Sequence, residues 1–400
     1  MQIYALFPIG KQKKRLFYTK KLIRDGILPA SIHFTHTYLG NKDKMAYICT
    51  KNIIMAKKTS LQDIADRLKV SKTTVSWTLS GQGDAKGVKQ ETQEKVRQCA
   101  RAMNYRPNLL ARSLNTGLSR ILGLIIPDIT DSFFSTIARH IEIEVEKNGY
   151  SLMIASSESD QKRENQLLSM FQDRQVDGII IAPTQDSEDK IRELLMEEEY
   201  PIVVIDRIFP ELNIDSVCVD NRHATQTIVQ DMIKDGARHI AFLTTNPHIY
   251  TMRERYLGYT DALSGYGMKI NGDLIRNVSF VNYEDEIFNV LDHIMLKGPM
   301  VDGIFFTTHV LAMEAFRYFT ERGIDFNSRF RMGCIHANSA FKVMAPGIRV
   351  ARMPIEKIGS SAVEIAVNCI NKRHNNELYS PTRIIHECTY PRDLNIFKKR

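Results

Sequence analysis

Residues 60–80, SLQDIADRLKVSKTTVSWTLS, decide the fold of the N-terminal region. In the first half of this stretch the apolar residues recur at the spacing of one helical face, and Ser60 with Asp63 matches a capping box at the start of a helix. After a short break, Ser71 is placed to cap a second helix, in which Val75 faces inward. The sequence therefore predicts two short helices joined by a tight turn.

A third amphipathic helix is predicted at about Glu91–Met103, which completes a helix-turn-helix arrangement. In such a head the second helix can enter the major groove of duplex DNA when its outer face carries short donors and acceptors instead of bulky acids. The candidate DNA-contacting residues on this helix are Ser71, Lys72, Thr73, Thr74, Ser76 and Trp77. Thr78 is also predicted on the polar outer face. Amphipathicity alone leaves open a helical hairpin that packs against another protein.

Charge divides the chain into two basic N-terminal segments and an acidic remainder, although the formal net charge is +8. Residues 1–54 carry a net charge of +8 and residues 55–119 a net charge of +7, whereas residues 120–400 carry −7. This division indicates that the protein binds a polyanion at one end. Residues 1–54 have no helical period and are expected to be a non-native or disordered basic extension. Either they form a basic tail, or translation starts at Met55 or Met45, which we favour.

Residues 118–400 alternate short apolar strands with amphipathic helices, which predicts βαβ units and parallel sheets in a two-lobed α/β core. The predicted strands begin at Ile121, Ser151, Gly178, Ile202, Val217, Ile240, Gly303 and Arg331. The predicted order of domains is a head at 55–104, a hinge helix and linker at 105–117, a first lobe at about 118–217 and 350–380, and a second lobe at about 218–349 and 381–400. Because ligands of such sheets bind at the carboxyl ends of the strands, we expect a cleft between the lobes.

Sequence motifs of common enzyme classes are missing: there is no phosphate-binding glycine loop, no HExxH zinc motif and no GxSxG nucleophile motif. The six cysteines are far apart and form no CxxC pair, so we expect free thiols, no metal and no cofactor. No apolar run approaches the ~18 residues of a membrane span. The sequence therefore favours a binding protein over an enzyme or a membrane protein.

Four short segments carry a specific resemblance, namely LQDIA at 61–65, VSKTTVS at 70–76, NYRPN at 104–108 and ARSL at 111–114. Together they closely resemble the lactose-repressor (LacI/GalR) family of bacterial transcription regulators, and the resemblance runs from about Lys58 to the C-terminus. It implies an all-α helix-turn-helix head, a hinge helix, and a core similar to periplasmic sugar-binding proteins.

The head departs from the family pattern at three places. Trp77 stands where the family usually has Arg, His or Tyr, and an indole favours contact with a thymine methyl group over a bidentate guanine contact. Residues 81–86 lengthen the loop after the second helix. Lys89 replaces the usual serine cap of the third helix, at a cost of ~1 kcal/mol.

The resemblance assigns the segment after Pro107 to a hinge helix, which is too short to be stable alone in water and is expected to fold on DNA. The DNA contacts that it implies in the minor groove are Asn108, Ala111 and Leu114. Leu114 would insert as an apolar wedge into the central base step. A plain linker with incidental leucines is the alternative interpretation.

The resemblance also implies effector contacts in the cleft, at Phe133, Phe134, Asp206, Arg207, Arg255, Phe280 and His309. Core packing is the alternative for the phenylalanines, and a surface salt bridge is the alternative for Arg207. His309 stands where many members have an Asp that binds sugar hydroxyls. The middle of the core, including PIVVIDR at 201–207, looks most like the fructose-type regulators, and two arginines near a cleft suit a phosphate.

We therefore expect a homodimeric or tetrameric regulator, with repression as the commoner mode, whose affinity for a pseudo-palindromic double-stranded DNA operator is controlled by a sugar or sugar phosphate. It would act in the cytoplasm, on the nucleoid when bound. A transporter's solute-binding protein is one alternative, and it would need an export signal and no DNA-binding head. An enzyme with a regulatory head is the other, and it would need a catalytic constellation in the cleft.

Overall fold

The computed structural model describes residues 59–106, 113, 116–184, 187–196, 200–245, 248–279, 283–297 and 301–391, and the backbone of 35–36 and 47–48. The chain divides into two compact units, Met1–Asn108 and Leu109–Arg400. In the N-terminal extension, β1 (Thr35–His36) pairs antiparallel with β2 (Tyr47–Ile48). The rest of the predicted extension lies outside the described residues, so its nature stays a prediction.

The head consists of α1 (Leu61–Leu68), α2 (Lys72–Leu79) and α3 (Gln90–Ala102), each within about a residue of its predicted position. The predicted capping box is confirmed, because the Ser60 side chain accepts from the Asp63 amide while the Asp63 carboxylate accepts from the Ser60 amide. Fully buried Ile64, Val75 and Val96 join the three helices in one small core. The helix-turn-helix is therefore held together by its own apolar contacts.

Two details of the head differ from the sequence-based expectation. Thr78 is buried at 2% exposure instead of lying on the outer face, because its hydroxyl donates to the Thr74 carbonyl, 2.8 Å away, inside the helix. Tyr105, predicted to begin the linker, packs against the head's core, and its amide donates to the Ala100 carbonyl. Lys89 lies at the N-cap of α3 without a side-chain capping bond, as predicted.

The first lobe contains a six-stranded parallel sheet in the order β13-β7-β6-β5-β3-β4. Its strands are β3 (Ile121–Ile126), β4 (Ser151–Ser156), β5 (Gly178–Ile181), β6 (Ile202–Ile205), β7 (Asp215–Val219) and β13 (Arg383–His386). Its helices are α4 (Ser132–Lys147), α5 (Gln161–Asp173), α6 (Glu188–Met196) and α13 (Ile355–His374).

The second lobe contains a five-stranded parallel sheet in the order β12-β11-β10-β8-β9. Its strands are β8 (Ile240–Thr244), β9 (Ile275–Asn277), β10 (Gly303–Phe306), β11 (Arg331–Ile335) and β12 (Arg349–Ala351). Its helices are α7 (Asn221–Lys234), α8 (Tyr250–Gly265), α9 (Tyr283–Lys297), α10 (His309–Glu321), α11 (Phe326–Arg329) and α12 (Phe341–Met344), with a 3-10 turn at Gly272–Leu274.

The two lobes repeat one topology, because in each sheet the first five strands of the lobe lie in the order second, first, third, fourth, fifth. The two-lobed parallel α/β core is therefore confirmed. The predicted lobe boundaries need two corrections. Residues 381–400 were assigned to the second lobe, but β13 pairs in register with β7 of the first. The first lobe also resumes at α13 and not at residue 350, because β12 pairs with β11 of the second lobe.

No helix in the part of the chain that the structure describes is both long and apolar enough to span a bilayer. Instead, the apolar residues fill three packed clusters in the core, on the faces of the two sheets. The carboxyl ends of the parallel strands point toward the junction of the lobes, where the loops after β3, β6, β10 and β11 meet.

Candidate functional site

The outer surface of α2 carries the predicted DNA-contacting side chains of the head. Lys72 and Thr73 are exposed in its first turn, and Ser76 and Trp77 are half-buried. Ser71 and Thr74 also maintain the helix start, since the Ser71 Oγ accepts from the Thr74 amide at 3.0 Å. The helix therefore presents one cation, short hydroxyls and one indole to solvent.

Four predicted site residues lie outside the described residues. They are the hinge residues Asn108, Ala111 and Leu114 and the effector candidate Phe280.

A cavity of about 650 Å³ lies between the two lobes of the core. The six other predicted effector residues line it, namely Phe133, Phe134, Asp206, Arg207, Arg255 and His309. They come from the amino-terminal turns of α4 and α10, from the end of β6 and from α8. Residues distant in sequence thus meet at the strand ends that the fold predicts.

Arg255 is a buried cation, and two of its N–H groups donate to protein oxygen atoms. Its Nε donates to the Asn221 Oδ1 at 2.8 Å, and one terminal nitrogen donates to the Thr307 carbonyl at 2.7 Å. Burial lowers the pKa of this guanidinium, and the nearby Asp206 carboxylate opposes that shift. Arg255 is therefore fixed in place, with part of its guanidinium facing the cavity.

Asp206 follows β6 with a φ of +60°, a left-handed conformation that is uncommon outside glycine and marks strained functional positions. Its side chain is buried, and Oδ1 has no hydrogen-bond partner among the described residues. Burial raises the pKa of this carboxyl group, while Arg255 and Arg207 lower it. A buried carboxylate oxygen without a donor is costly in this conformation.

Arg207 lies half-buried beside Asp206 and makes no surface salt bridge with the described residues. One terminal nitrogen donates to the Pro183 carbonyl at 3.3 Å, and the guanidinium carbon lies 5.9 Å from the centre of the Phe134 ring. Burial lowers its pKa, and Asp206, Glu164 and Asp131 oppose that shift. Stacking on an aromatic ring leaves the edge of the guanidinium available to an anionic group.

Phe133 and Phe134 belong to the core and also line the cavity, so the structure is compatible with both roles that the sequence left open. Each is 7% exposed and belongs to the main core cluster, and each also lines the cavity. Their rings meet edge to face with centroids 5.0 Å apart. The two rings therefore give the cavity one apolar wall.

His309 connects the lobes across the cavity. Its Nε2 lies 3.0 Å from the Ser132 Oγ and 3.7 Å from the Asp131 Oδ1, both at the start of α4 in the first lobe. Burial lowers the pKa of His309, and Asp131 partly opposes that shift. The contact is therefore a neutral hydrogen bond at pH 7 between the starts of two helices.

His336 is a cavity residue that sequence reasoning missed. It follows β11 with a φ of +62°, at the position in the second lobe that Asp206 occupies in the first, since each follows the fourth strand of its sheet. Its ring packs edge to face against Phe133 and His309, and its Nδ1 is buried without a hydrogen-bond partner among the residues that the structure describes. Burial and His309 lower its pKa to about 3. The repeated strand order of the two lobes is the signal that could have identified it.

The cavity is thus lined by three carboxylates, three imidazoles, two guanidiniums and an aromatic wall, namely Asp131, Glu158 and Asp206, His248, His309 and His336, Arg207 and Arg255, and Phe133 and Phe134. This combination suits a small ligand with several hydroxyl groups and an anionic substituent. The residues described by the structure contain no group of three or more His, Cys, Asp or Glu arranged to hold a metal ion. The polar groups face the cavity from both lobes, so a bound ligand would contact both.

Comparison with known proteins identifies both parts of the chain. Residues 60–108 match the family described as bacterial regulatory proteins, lacI family. Residues 119–390 match the periplasmic binding proteins and sugar binding domain of the LacI family. The HTH-type transcriptional regulator AscG of Escherichia coli (strain K12) is 31% identical over 268 residues, which cover 66% of this chain and 78% of that protein.

Two solved structures share the fold. The lac repressor dimer bound to operator and the anti-inducer ONPF has a TM-score of 0.72 at 18% identity, over 84% of this chain and 99% of that one. The Cra transcriptional dual regulator from Pseudomonas putida in complex with fructose 1-phosphate has a TM-score of 0.61 at 24% identity, over 69% of this chain and 99% of that one. Both the head and the core are covered by the family match, and the relatives are regulators and not enzymes. This chain is therefore a DNA-binding transcription regulator that belongs to the LacI family.

Proposed function

We propose that this regulator represses transcription as a homodimer and that a sugar or sugar phosphate in the interlobe cavity controls its operator affinity. The observation that carries the proposal is that Asp206 and His336, which follow the fourth strands of opposite lobes, line one cavity together with Arg207 and Arg255. A sugar in this cavity would have hydrogen-bonding groups on both sides. Arg207 would bind a phosphate, because a guanidinium pairs with phosphate oxygens in a bidentate manner.

The ligand class follows from the chemistry and from the relatives. The Cra structure holds fructose 1-phosphate, and residues 119–390 of this chain match the sugar binding domain of the LacI family. A fructose derivative is our specific candidate, since residues 201–207 resemble the corresponding segment of the fructose-type regulators. The effector contacts that we propose are Phe133, Phe134, Asp206, Arg207, Arg255, Phe280 and His309, with His336 added.

The control step that we propose is a change in the contacts between the lobes. In the structure His309 contacts Ser132, and Phe133 contacts His336, so both contacts border the space that a ligand would fill. A ligand that favours one arrangement of these contacts shifts the relative position of the lobes. A coupling of ~1–3 kcal/mol to the hinge segment is enough to change operator affinity 5- to 150-fold.

Two-fold symmetry follows from a homodimer, so the operator is expected to be pseudo-palindromic duplex DNA. A tetramer would bind two such operators. We propose that the head contacts bases through Ser71, Lys72, Thr73, Thr74, Ser76 and Trp77, and the minor groove through Asn108, Ala111 and Leu114. The protein would act in the cytoplasm, on the nucleoid when bound.

A thermal-shift screen of sugars and sugar phosphates, with inorganic phosphate as a control compound, tests the effector. We expect at least one sugar or sugar phosphate to raise the Tm and to change the affinity for a promoter duplex from the same genome. Arg207→Met should weaken a sugar phosphate at least tenfold, because it removes the anion contact. Arg139→Met is the matched control, since Arg139 is exposed on α4 and pairs with Glu142. Equal responses of the two variants, or no ligand in the screen, would contradict the proposal. Turnover of the identified ligand would favour the enzyme alternative.

Trp77 reports the DNA contact separately, because it is the only tryptophan in the chain and lies on α2. We expect operator DNA to change its emission, while a cavity ligand alone changes it little. Leu114→Ala should weaken operator binding more than binding to unrelated duplex. An unchanged Trp77 spectrum at saturating operator would contradict the placement of α2 on DNA. An equal loss of affinity on both duplexes would contradict the role of Leu114 as a wedge.

A further inference from the structure

The segment between α2 and α3, residues 81–88, is the lengthened loop of the head, and its backbone is tightly hydrogen-bonded. The Gln82 amide donates to the Trp77 carbonyl at 2.8 Å, and the Lys86 amide donates to the Gln82 carbonyl at 3.0 Å. The Val88 amide then donates to the Gly83 carbonyl at 2.8 Å. The loop is therefore a defined structure that starts directly from the recognition helix.

A buried glutamine of α3 holds this loop in place through hydrogen bonds. Gln93 is 1% exposed, and its Nε2 donates to the Asp84 Oδ1 at 2.7 Å and to the Val88 carbonyl at 2.9 Å. Gly83 lies so close that a Cβ there would come within 2.5 Å of the Gln93 side chain. The side-chain Nε2 of Gln90 also donates to the Asp84 Oδ1, at 2.6 Å. These contacts fix the loop against α3 and determine where Lys86 is presented.

Lys86 is exposed at the end of this loop, and its Nζ lies 5.8 Å from the centre of the Trp77 ring. Among the described residues it forms no salt bridge, and the nearest carboxylate of the loop, Asp84, accepts instead from two glutamine amides. The ammonium lies over the face of the indole, which is a cation–π geometry, so the ring edge stays free for another contact. The loop therefore holds a positive charge beside the candidate base-reading side chain.

We propose that Lys86 is a second DNA-contact point of the head, which binds a phosphodiester group of the duplex next to the base that Trp77 contacts. The inference rests on the placement of α2 in the major groove. A lysine whose backbone is held in a hydrogen-bonded loop loses less conformational entropy on binding than a lysine in a flexible segment. Because the same ammonium covers one face of the Trp77 ring, it also sets the orientation in which the indole meets the bases.

Salt dependence of binding distinguishes a phosphate contact from a general charge effect. Each phosphate neutralised on duplex DNA contributes about −0.9 to the slope of log affinity against log salt concentration. We expect Lys86→Met to make this slope less negative by about 0.9 on both operator and scrambled duplex, and Lys86→Arg to restore it. Lys95→Met is the matched control, because Lys95 is exposed on α3 and pairs with Glu91, so the net charge changes equally.

The coupling to Trp77 is tested by a second measurement. We expect Lys86→Met to lower the ratio of operator to scrambled affinity by a factor of two to five in the presence of Trp77, and to leave it unchanged in a Trp77→Leu background. Equal slopes for Lys86→Met and Lys95→Met would overturn the phosphate contact while the proposed placement of α2 stands. Wild-type protein that binds no duplex would refute the placement of α2, and the Lys86 contact with it.

Discussion

The head and the interlobe cavity place their functional side chains in opposite environments. The candidate major-groove contacts come from one eight-residue helix and its N-cap Ser71, and Lys72 and Thr73 are exposed. The cavity side chains come from positions as far apart as Asp131 and His336, and about half of them are buried, including Asp206, Arg255 and His309. Substitutions on the DNA-facing surface of the head can thus leave its apolar interior unchanged. The cavity residues, in contrast, belong to the packed interior of the two lobes.

This difference has an energetic consequence. Exposed charges interact weakly through water, so substitutions on the surface of α2 should alter DNA affinity and leave stability almost unchanged. Buried charges with fixed partners contribute to the fold, so a substitution in the cavity should alter stability and ligand binding together. Trp77 makes the two regions separable, because its emission reports only on the head.

The largest effect is expected from Arg255→Ala, which leaves the Asn221 amide oxygen and the Thr307 carbonyl without their donor. The free energy of unfolding of the core should fall by about 3 kcal/mol. Urea unfolding followed by far-UV circular dichroism measures this loss, while the Trp77 transition should not move. Arg253→Ala, an exposed neighbour on the same helix, is the control and should stay within about 0.5 kcal/mol. A loss below 1 kcal/mol for Arg255→Ala would show that the buried network is dispensable.

The next effect is a pH dependence of the stability that is confined to the core, since residues 59–106 of the head contain no histidine. The pKa of His336 is about 3 in the folded chain, against about 6.5 when unfolded, so the unfolded state binds more protons as the pH falls below 6.5. The contribution of His336 to the free energy of unfolding is fully present above pH 7 and should be smaller by about 2 kcal/mol at pH 5.

Glu164 and Asp206, whose pKa values burial raises, oppose this trend in the wild type. The quantity to measure is therefore the difference in stability between wild type and His336→Asn at pH 8 and at pH 5, since asparagine tolerates the left-handed backbone. An identical pH dependence in the two proteins would exclude His336 as the titrating group.

A smaller effect is expected in the head from Ser71→Ala, which removes the side-chain cap of α2. The head should lose about 1 kcal/mol, because the Thr74 amide loses its acceptor. The transition is followed by Trp77 emission in urea, with the core transition as the internal reference. Thr73→Ala, at an exposed position of the same turn, should change stability by a few tenths of a kcal/mol. A shift of the core transition in Ser71→Ala would contradict the expectation that the head and the core unfold independently.

The smallest effect is a gain. Lys89→Ser supplies the missing side-chain cap of α3, so the head should be stabilised by about 0.5–1 kcal/mol. The same Trp77 transition measures it. If the variant is no more stable than wild type, the N-terminus of α3 is already satisfied by solvent.

The head could be predicted almost completely from the sequence because its signals are local. The caps at Ser60 and Ser71 and the apolar spacing within each helix are set by neighbours three or four residues away. The prediction that Thr78 lies on the outer face was wrong, because a threonine hydroxyl can donate to the carbonyl one turn earlier and so tolerate burial.

The core was predictable where strands are continuous apolar runs. Seven of the eight predicted strands begin at the predicted residue, and β7 begins at Asp215 instead of Val217. β9, β12 and β13 were not predicted, because they are short edge strands whose pairing is decided by distant partners. β13 was assigned to the wrong lobe for the same reason.

The cavity residues came from the resemblance and not from periodicity. Phe133 and Arg255 line the cavity as expected, and whether they bind the effector stays a prediction. His336 was missed because an isolated histidine after a strand carries no local pattern. Its position becomes visible only when the strand orders of the two lobes are compared.

The path of the chain through the two lobes has a consequence for synthesis. The chain leaves the first lobe near Asp220 and returns to it only after β12, so α13 and the edge strand β13 reach the first sheet last. During translation the second lobe is complete while the first still lacks the helix that covers β5, β6 and β7. The regulator therefore cannot form a finished cavity until almost the whole polypeptide has left the ribosome, and a nascent chain cannot respond to its ligand.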